Sequence, residues 1–143
     1  MFSKPYLMVI VDDERDLAGV LAEYLEDMFP GVFAAHFFNE PEGAINFVET
    51  NPVRVVVTEV RMPGMDGDQI NLRVKQMGRG IKTVIITGNL SYTKALTCYN
   101  DGADAFIQKP FNPSEIRSTF QRVLDCIESW EDVLRNIAHE KVS

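Results

Sequence analysis

Asp12-Asp13, Glu59, Thr87 and Lys109 are the residues of this sequence whose types could do chemistry together. Each stands at or just after the end of a short apolar run. Clustered carboxylates repel one another and invite a hard divalent cation such as Mg²⁺. A lysine ammonium offers a point charge to a phosphoryl group. A threonine hydroxyl can donate a hydrogen bond to a phosphoryl oxygen. Together they describe phosphoryl chemistry with a metal. Singly, each piece is bland: Asp-Asp after a strand is commonly a turn or helix cap, Met62-Pro63-Gly64 is a turn, Lys109-Pro110 is an ordinary surface lysine, and Thr87-Gly88 says little. Their order, always at the ends of apolar runs, favours the joint reading.

The elements that must position them are legible from periodicity. YLMVIV (6–11), VRVVVT (53–58), KTVIIT (82–87) and DAFIQ (104–108) are Val- and Ile-rich runs, and VFAAHFF (32–38) is a weaker fifth. The three nearly continuous runs, 6–11, 53–58 and 82–87, suit parallel strands buried on both faces. Between the runs lie helical patterns. Leu17, Val20, Leu21, Tyr24, Leu25 and Met28 follow the i, i+3, i+4 rule. Ala44, Ile45 and Val48 do so after Asn39 as cap and Pro41 in the first turn. Ile70, Val74 and Met77 make a third helix, and residues 91–100 a fourth, with Leu96 and Tyr99 expected to face inward. The last helix starts with Asn112 as N-cap, Pro113 at N1 and Glu115 at N3.

The order is (βα)5, which predicts an α/β fold with a doubly wound parallel sheet covered by helices on both faces. Right-handed crossovers leave few topologies, with the flavodoxin-like order 2-1-3-4-5 foremost. In such a sheet, ligands bind beyond the carboxyl ends of the strands. Strands 1, 3, 4 and 5 are then neighbours, and their ends bring Asp12, Asp13, Glu59, Thr87 and Lys109 to one pocket.

Composition bounds the alternatives. At 143 residues the chain suits one domain, and 45% hydrophobic with 24% charged residues is ordinary for a globular protein. The net charge of −7 disfavours nonspecific nucleic-acid binding and an anionic membrane surface. No apolar run approaches a membrane span. The N-terminus meets acid after six apolar residues, which argues against a signal peptide. Cys98 and Cys126 form no paired motif and fit a reducing cytoplasm.

The motifs VDDE (11–14), EVRMPGMDG (59–67), TG (87–88) and FIQKPF (106–111) resemble the response-regulator receiver domain of two-component signalling, from residue 6 to about 126. The resemblance implies a receiver unit over 1–126 and a helical extension over 127–143. It implies Asp12 and Asp13 as metal-site acids with the backbone carbonyl of Arg61, Thr87 as the switch hydroxyl, Lys109 as the family's lysine, and Phe106 as its switch aromatic. It implies Mg²⁺ as cofactor, a histidine kinase or another signalling protein as partner, and a contact surface on helix 4, strand 5 and helix 5.

One position departs from the family pattern. The phosphate acceptor of the family is an Asp, and here that position is Glu59, with every flanking feature at its usual spacing. Glu is one methylene longer, so its carboxylate shifts by roughly 1 Å. An error of about 1 Å in an in-line transfer can cost roughly 100-fold. Several readings are open: Glu59 imitates the phosphorylated state by bonding Thr87 and Lys109, it marks an unswitched interaction module, or it is a substitution introduced into an ordinary receiver. Unusual phosphorylation and regulation by another ligand complete the set. The pocket is expected to hold either a weakly bound divalent cation, with Glu59 among its ligands, or a direct Glu59–Lys109 ion pair.

Two rival functions differ in kind. A Mg²⁺-dependent phosphatase or phosphotransferase on a similar sheet would normally need an Asp nucleophile. A flavin- or nucleotide-binding protein would need a phosphate-cradling loop where VDDERD is instead acidic. His36 and His139 are isolated and carry no expected role.

Ile116, Phe120, Val123, Ile127, Trp130, Leu134 and Ile137 are spaced 4, 3, 4, 3, 4, 3, a heptad seam. One small domain is too short to cover it all. The expectation is that Ile127, Trp130, Leu134 and Ile137 lie outside the core and hold a homodimer.

Overall fold

The computed structural model describes residues 3–89 and 91–142. Ten elements alternate: β1 (Tyr6–Val11), α1 (Arg15–Met28), β2 (Phe33–Phe38), α2 (Pro41–Thr50), β3 (Val53–Glu59), α3 (Gly67–Gln76), β4 (Lys82–Thr87), α4 (Tyr92–Asn100), β5 (Ala105–Gln108) and α5 (Pro113–Val142). The strands form one parallel sheet in the order β2-β1-β3-β4-β5. This is the expected (βα)5 flavodoxin-like architecture. All seven residues of β3, the central strand, are buried, which suits its Val-rich, nearly continuous apolar run.

The sheet divides the core. On one face, Leu21 and Leu25 of α1 and Ile116, Phe120 and Ile127 of α5 pack on Met8, Ile10, Val55 and Val57. On the other, Ile45 and Val48 of α2 and Ile70 and Val74 of α3 pack on Val9, Val11 and Val56. Each large aliphatic side chain so buried contributes roughly 1.5–3 kcal/mol.

Helix α4 departs from the expectation. Cys98 is its fully buried side chain, while Leu96 and Tyr99 are exposed, as is Tyr92. The reason is polar. The Lys94 ammonium in its first turn donates to Asp66 (3.1 Å) and Asp68 (3.2 Å) at the start of α3. The buried Asn71 amide of α3 donates to the Cys98 carbonyl (3.3 Å), and Thr83 of β4 donates to Asn71 Oδ1 (2.6 Å). These ties turn α4 so that its apolar stripe points away from the sheet.

Helix α2 is preceded by Glu40 rather than Asn39 at its cap, with no side-chain cap bond and with Pro41 opening the first turn. Before α5, Asn112 Oδ1 accepts from the Ser114 amide (3.0 Å), the capping role read from the sequence.

Helix α5 runs 30 residues. Ile116, Phe120, Val123 and Ile127 are buried, so Ile127 belongs to the core and not to the exposed stripe. Trp130, Val133, Leu134 and Ile137 are exposed. A seam of period 3.5 drifts by about 20° per heptad on a straight helix. At the next inward position stands Glu131, which is buried and whose Oε2 accepts from the Tyr6 hydroxyl (2.8 Å). His36 lies against the Phe47 ring (centroids 4.8 Å apart).

Candidate functional site

Strand register assembles the site. Val11 pairs with Thr58, so Asp12, one residue on, comes level with Glu59. Glu59 pairs with Ile86, placing Thr87 just beyond, and Thr87 pairs with Gln108, placing Lys109 one step past β5. Residues far apart in sequence thus meet at the carboxyl edge of the sheet.

Asp12 is fully buried and both its oxygens are engaged: Oδ1 accepts from the Glu14 amide (2.9 Å) and Oδ2 from the Lys109 ammonium (2.9 Å). Lys109 lies 3.5 Å from Glu14 Oε1 and 3.9 Å from Glu59 Oε2. The expected Glu59–Lys109 pair is therefore the loosest of three contacts, and Asp12 is the lysine's principal partner. The physical reason is burial: Asp12 is the more deeply enclosed carboxylate, and an enclosed charge gains most from a direct hydrogen-bonded counterion.

Glu59 is buried, and its Oε2 has no hydrogen-bond partner. Thr87, also buried, approaches Glu59 Oε1 only at 3.5 Å and accepts from the Asn89 amide at 3.2 Å. Burial pushes the Glu59 carboxyl up to about 7, against the pull of Lys109 and with the help of Asp12. Burial likewise raises Asp12, opposed by the Glu14 amide and Lys109. For Lys109 burial is the largest influence and lowers it, but Asp12, Glu59 and Glu14 together outweigh it and keep the ammonium protonated above its ordinary range.

The loop after β3 shapes the floor of the site. The Gly67 amide donates to the Val60 carbonyl (2.7 Å). A Cβ on Gly67 would fall on the carbonyl oxygen of Glu59, so this position requires glycine for close approach of two backbones. Arg61 and Asp13 have exposed side chains. Phe106 is half-buried and packs with Val60, Ile85 and Cys98 under α4.

Asp12, Asp13 and Glu14 each offer an oxygen within 4.8 Å of the others. With the unpartnered Glu59 Oε2 nearby, this is an oxygen-only donor set, the chemistry that suits a hard divalent cation such as Mg²⁺. The only sequence signal for Glu14 is its place directly after Asp12-Asp13. The signal for Gly67 is its place at the end of the Met-Asp-Gly turn.

The family model described as response regulator receiver domain matches residues 8–121. The sensor histidine kinase RcsC of Escherichia coli K12 is 26% identical over 126 residues, covering 88% of this chain and 13% of the relative. The cyclic di-GMP phosphodiesterase response regulator RpfG of Xanthomonas campestris is 29% identical over 130 residues, covering 88% and 34%. The response regulator Rre1 of Synechocystis is 25% identical over 124 residues, covering 85% and 53%. The chain thus spans from about an eighth to about half of these curated relatives' lengths. Among solved structures, a CheY-like receiver domain protein from Methanospirillum hungatei superposes with a TM-score of 0.79 at 22% identity, covering 87% of this chain and 97% of that one. The receiver domain of a LuxO-type repressor from Vibrio parahaemolyticus gives 0.80 at 21% identity, covering 90% and 96%. No helix among the described residues is long and apolar enough to cross a membrane.

Proposed function

The chain belongs to the response regulator receiver domain family, and from that premise we propose that it is a signalling module acting through protein contact, with conventional phosphorylation blunted at Glu59. Receivers are generally not catalytic enzymes, and the family match does not favour a Mg²⁺-dependent phosphatase.

The observation that carries this reading is the position of the Glu59 carboxylate. It occupies the acceptor position, yet stands 3.5 Å from Thr87 Oγ1 and 3.9 Å from the Lys109 ammonium. A side chain imitating a phosphoryl group would hold both closely. Of the readings left open by the sequence, the unswitched interaction module fits these distances better than an active-like lock.

In this reading Asp12, Asp13 and Glu59, with the Arg61 carbonyl, are the groups that would hold Mg²⁺. Bound there, the cation would neutralise carboxylate charge and allow an anionic phosphoryl group to approach. Lys109 holds Asp12 in place and supplies a fixed positive charge. Thr87 and Phe106 connect the pocket to α4 and β5. The contact surface for a histidine kinase or another signalling protein is the exposed stripe Tyr92, Leu96 and Tyr99 of α4 with neighbouring Phe106. Residues 1–126 act as the receiver unit and 127–143 as an extension forming a homodimer contact, in the cytoplasm, without direct nucleic-acid binding.

The test is incubation with acetyl phosphate and Mg²⁺ followed by intact mass measurement. The chain as it stands is expected to gain no phosphoryl mass, and Glu59→Asp to gain an acid-labile adduct. A stoichiometric adduct on Glu59 itself would refute the reading.

A further inference from the structure

The Lys109 ammonium sits among three carboxylates: Asp12 Oδ2 at 2.9 Å, Glu14 Oε1 at 3.5 Å and Glu59 Oε2 at 3.9 Å. The exposed Asp13 adds a fourth, since Asp12, Asp13 and Glu14 each bring an oxygen within 4.8 Å of the others. One ammonium thus faces four carboxyl groups, and such groups repel one another unless a cation is shared among them.

The four are not equally free to take a cation. Asp12 is fully buried and spends Oδ1 on the Glu14 amide and Oδ2 on Lys109. Glu59 is different. Its side chain is nine-tenths buried, and its Oε2 stands beside the same ammonium without a hydrogen-bond partner. A buried oxygen of this kind is costly unless a donor or a cation meets it. Glu14 is also uncommitted. It stands at the N-cap of α1 but makes no side-chain cap bond. Its side chain is 59% exposed and its contact with Lys109 is long.

We propose that Glu14 is a direct ligand of the divalent cation at this site, beside Asp13 and Glu59; this rests on the cation reading given above and adds a residue to it. A hard cation gains from each further anionic oxygen that can reach it. Turning Glu14 toward the cation costs little, because Lys109 keeps Asp12 as its close partner. Asp12 then acts chiefly as a positioning residue: one oxygen fixes the ammonium, and the other holds the amide of Glu14 itself. The competing role for Glu14 is that of a second counterion to Lys109. In that role its loss would remove one negative charge and no ligand.

The experiment uses Mn²⁺, an oxygen-preferring octahedral ion with a paramagnetic signal, as the probe. Binding to the full chain is followed by electron paramagnetic resonance. Water-proton relaxation counts the waters on the bound ion, and circular dichroism confirms that each variant is folded. Glu14→Ala is expected to raise the Mn²⁺ dissociation constant about tenfold and to add about one water to the bound ion. Asp16→Asn removes an equal charge from the exposed first turn of α1. It is expected to shift the constant less than about twofold at physiological salt, with no water gained. If the unaltered chain binds no Mn²⁺ at millimolar concentrations, the cation reading of the site itself fails. If it binds Mn²⁺ but Glu14→Ala acts no more strongly than Asp16→Asn, or the water count does not rise, Glu14 is only a counterion of Lys109 and its assignment as a ligand is overturned.

Discussion

The Lys109 ammonium stands 2.9 Å from Asp12 Oδ2 and 3.9 Å from Glu59 Oε2, so the lysine neutralises Asp12 and leaves the Glu59 carboxylate only loosely held. Asp12 and Lys109 are 97 residues apart and both are nearly closed to solvent. Breaking a buried pair on one side leaves an uncompensated charge. Lys109→Met is expected to destabilise the protein at neutral pH by on the order of 3 kcal/mol, measured by urea unfolding. Asp12→Asn in the same chain should restore part of the loss. A double-variant loss equal to the sum of the two single-variant losses would show that the pair is not coupled.

Glu59 gives the stability a pH dependence in buffer free of divalent cations. Its folded-state carboxyl titrates near 7, above the ordinary 4.5. A raised acid favours the folded state fully below the ordinary value. That contribution is lost as pH rises through about 7, because the unfolded chain ionises more readily. Glu59→Gln has no proton to lose. At pH 8 it should be more stable than the unaltered chain by about 2 kcal/mol, with the difference shrinking toward pH 5. Thermal unfolding across this range reads the effect, and parallel curves for the two proteins would contradict it.

Gly67 holds the β3–α3 loop against the end of β3. Gly67→Ala places a methyl group on the Glu59 carbonyl and forces the backbone apart. The expected cost is at least about 2 kcal/mol, with the signals of Glu59 and Val60 shifted in an amide correlation spectrum. A variant of unchanged stability would mean the loop opens without penalty.

Tyr6 and Glu131 join the first strand to the extension of α5. Tyr6→Phe removes the hydroxyl and leaves a buried carboxylate with one partner fewer. A loss of about 1–3 kcal/mol is expected, together with faster hydrogen exchange in α5 beyond Ile127. Unchanged exchange there would show that the clip does not hold the extension.

Much of the fold is legible in the sequence. Continuous Val- and Ile-rich runs alternating with 3.6-period segments fixed the element order, and chain chirality reduced the sheet to one leading topology. That topology alone brought Asp12, Asp13, Glu59, Thr87 and Lys109 to one edge, because polar residues follow each run. Pairwise choices inside the site were not legible. Which acid Lys109 bonds depends on relative burial, and burial is a property of the packed sheet rather than of residue type. The outward turn of Leu96 and Tyr99 came from Lys94, Asp66, Asp68 and Asn71, polar contacts between α3 and α4 that no apolar periodicity reveals. The heptad pattern of α5 matches the buried face at Ile116, Phe120 and Val123, and packing extends that face to Ile127, which the pattern alone leaves outside the core. Beyond it the drift of a 3.6-residue helix from a 3.5-residue repeat put Glu131 inward and left Trp130, Leu134 and Ile137 outside. Local sequence determined which segments fold and where their polar ends fall; tertiary packing decided which of those ends touch, because that depends on distances across the sheet.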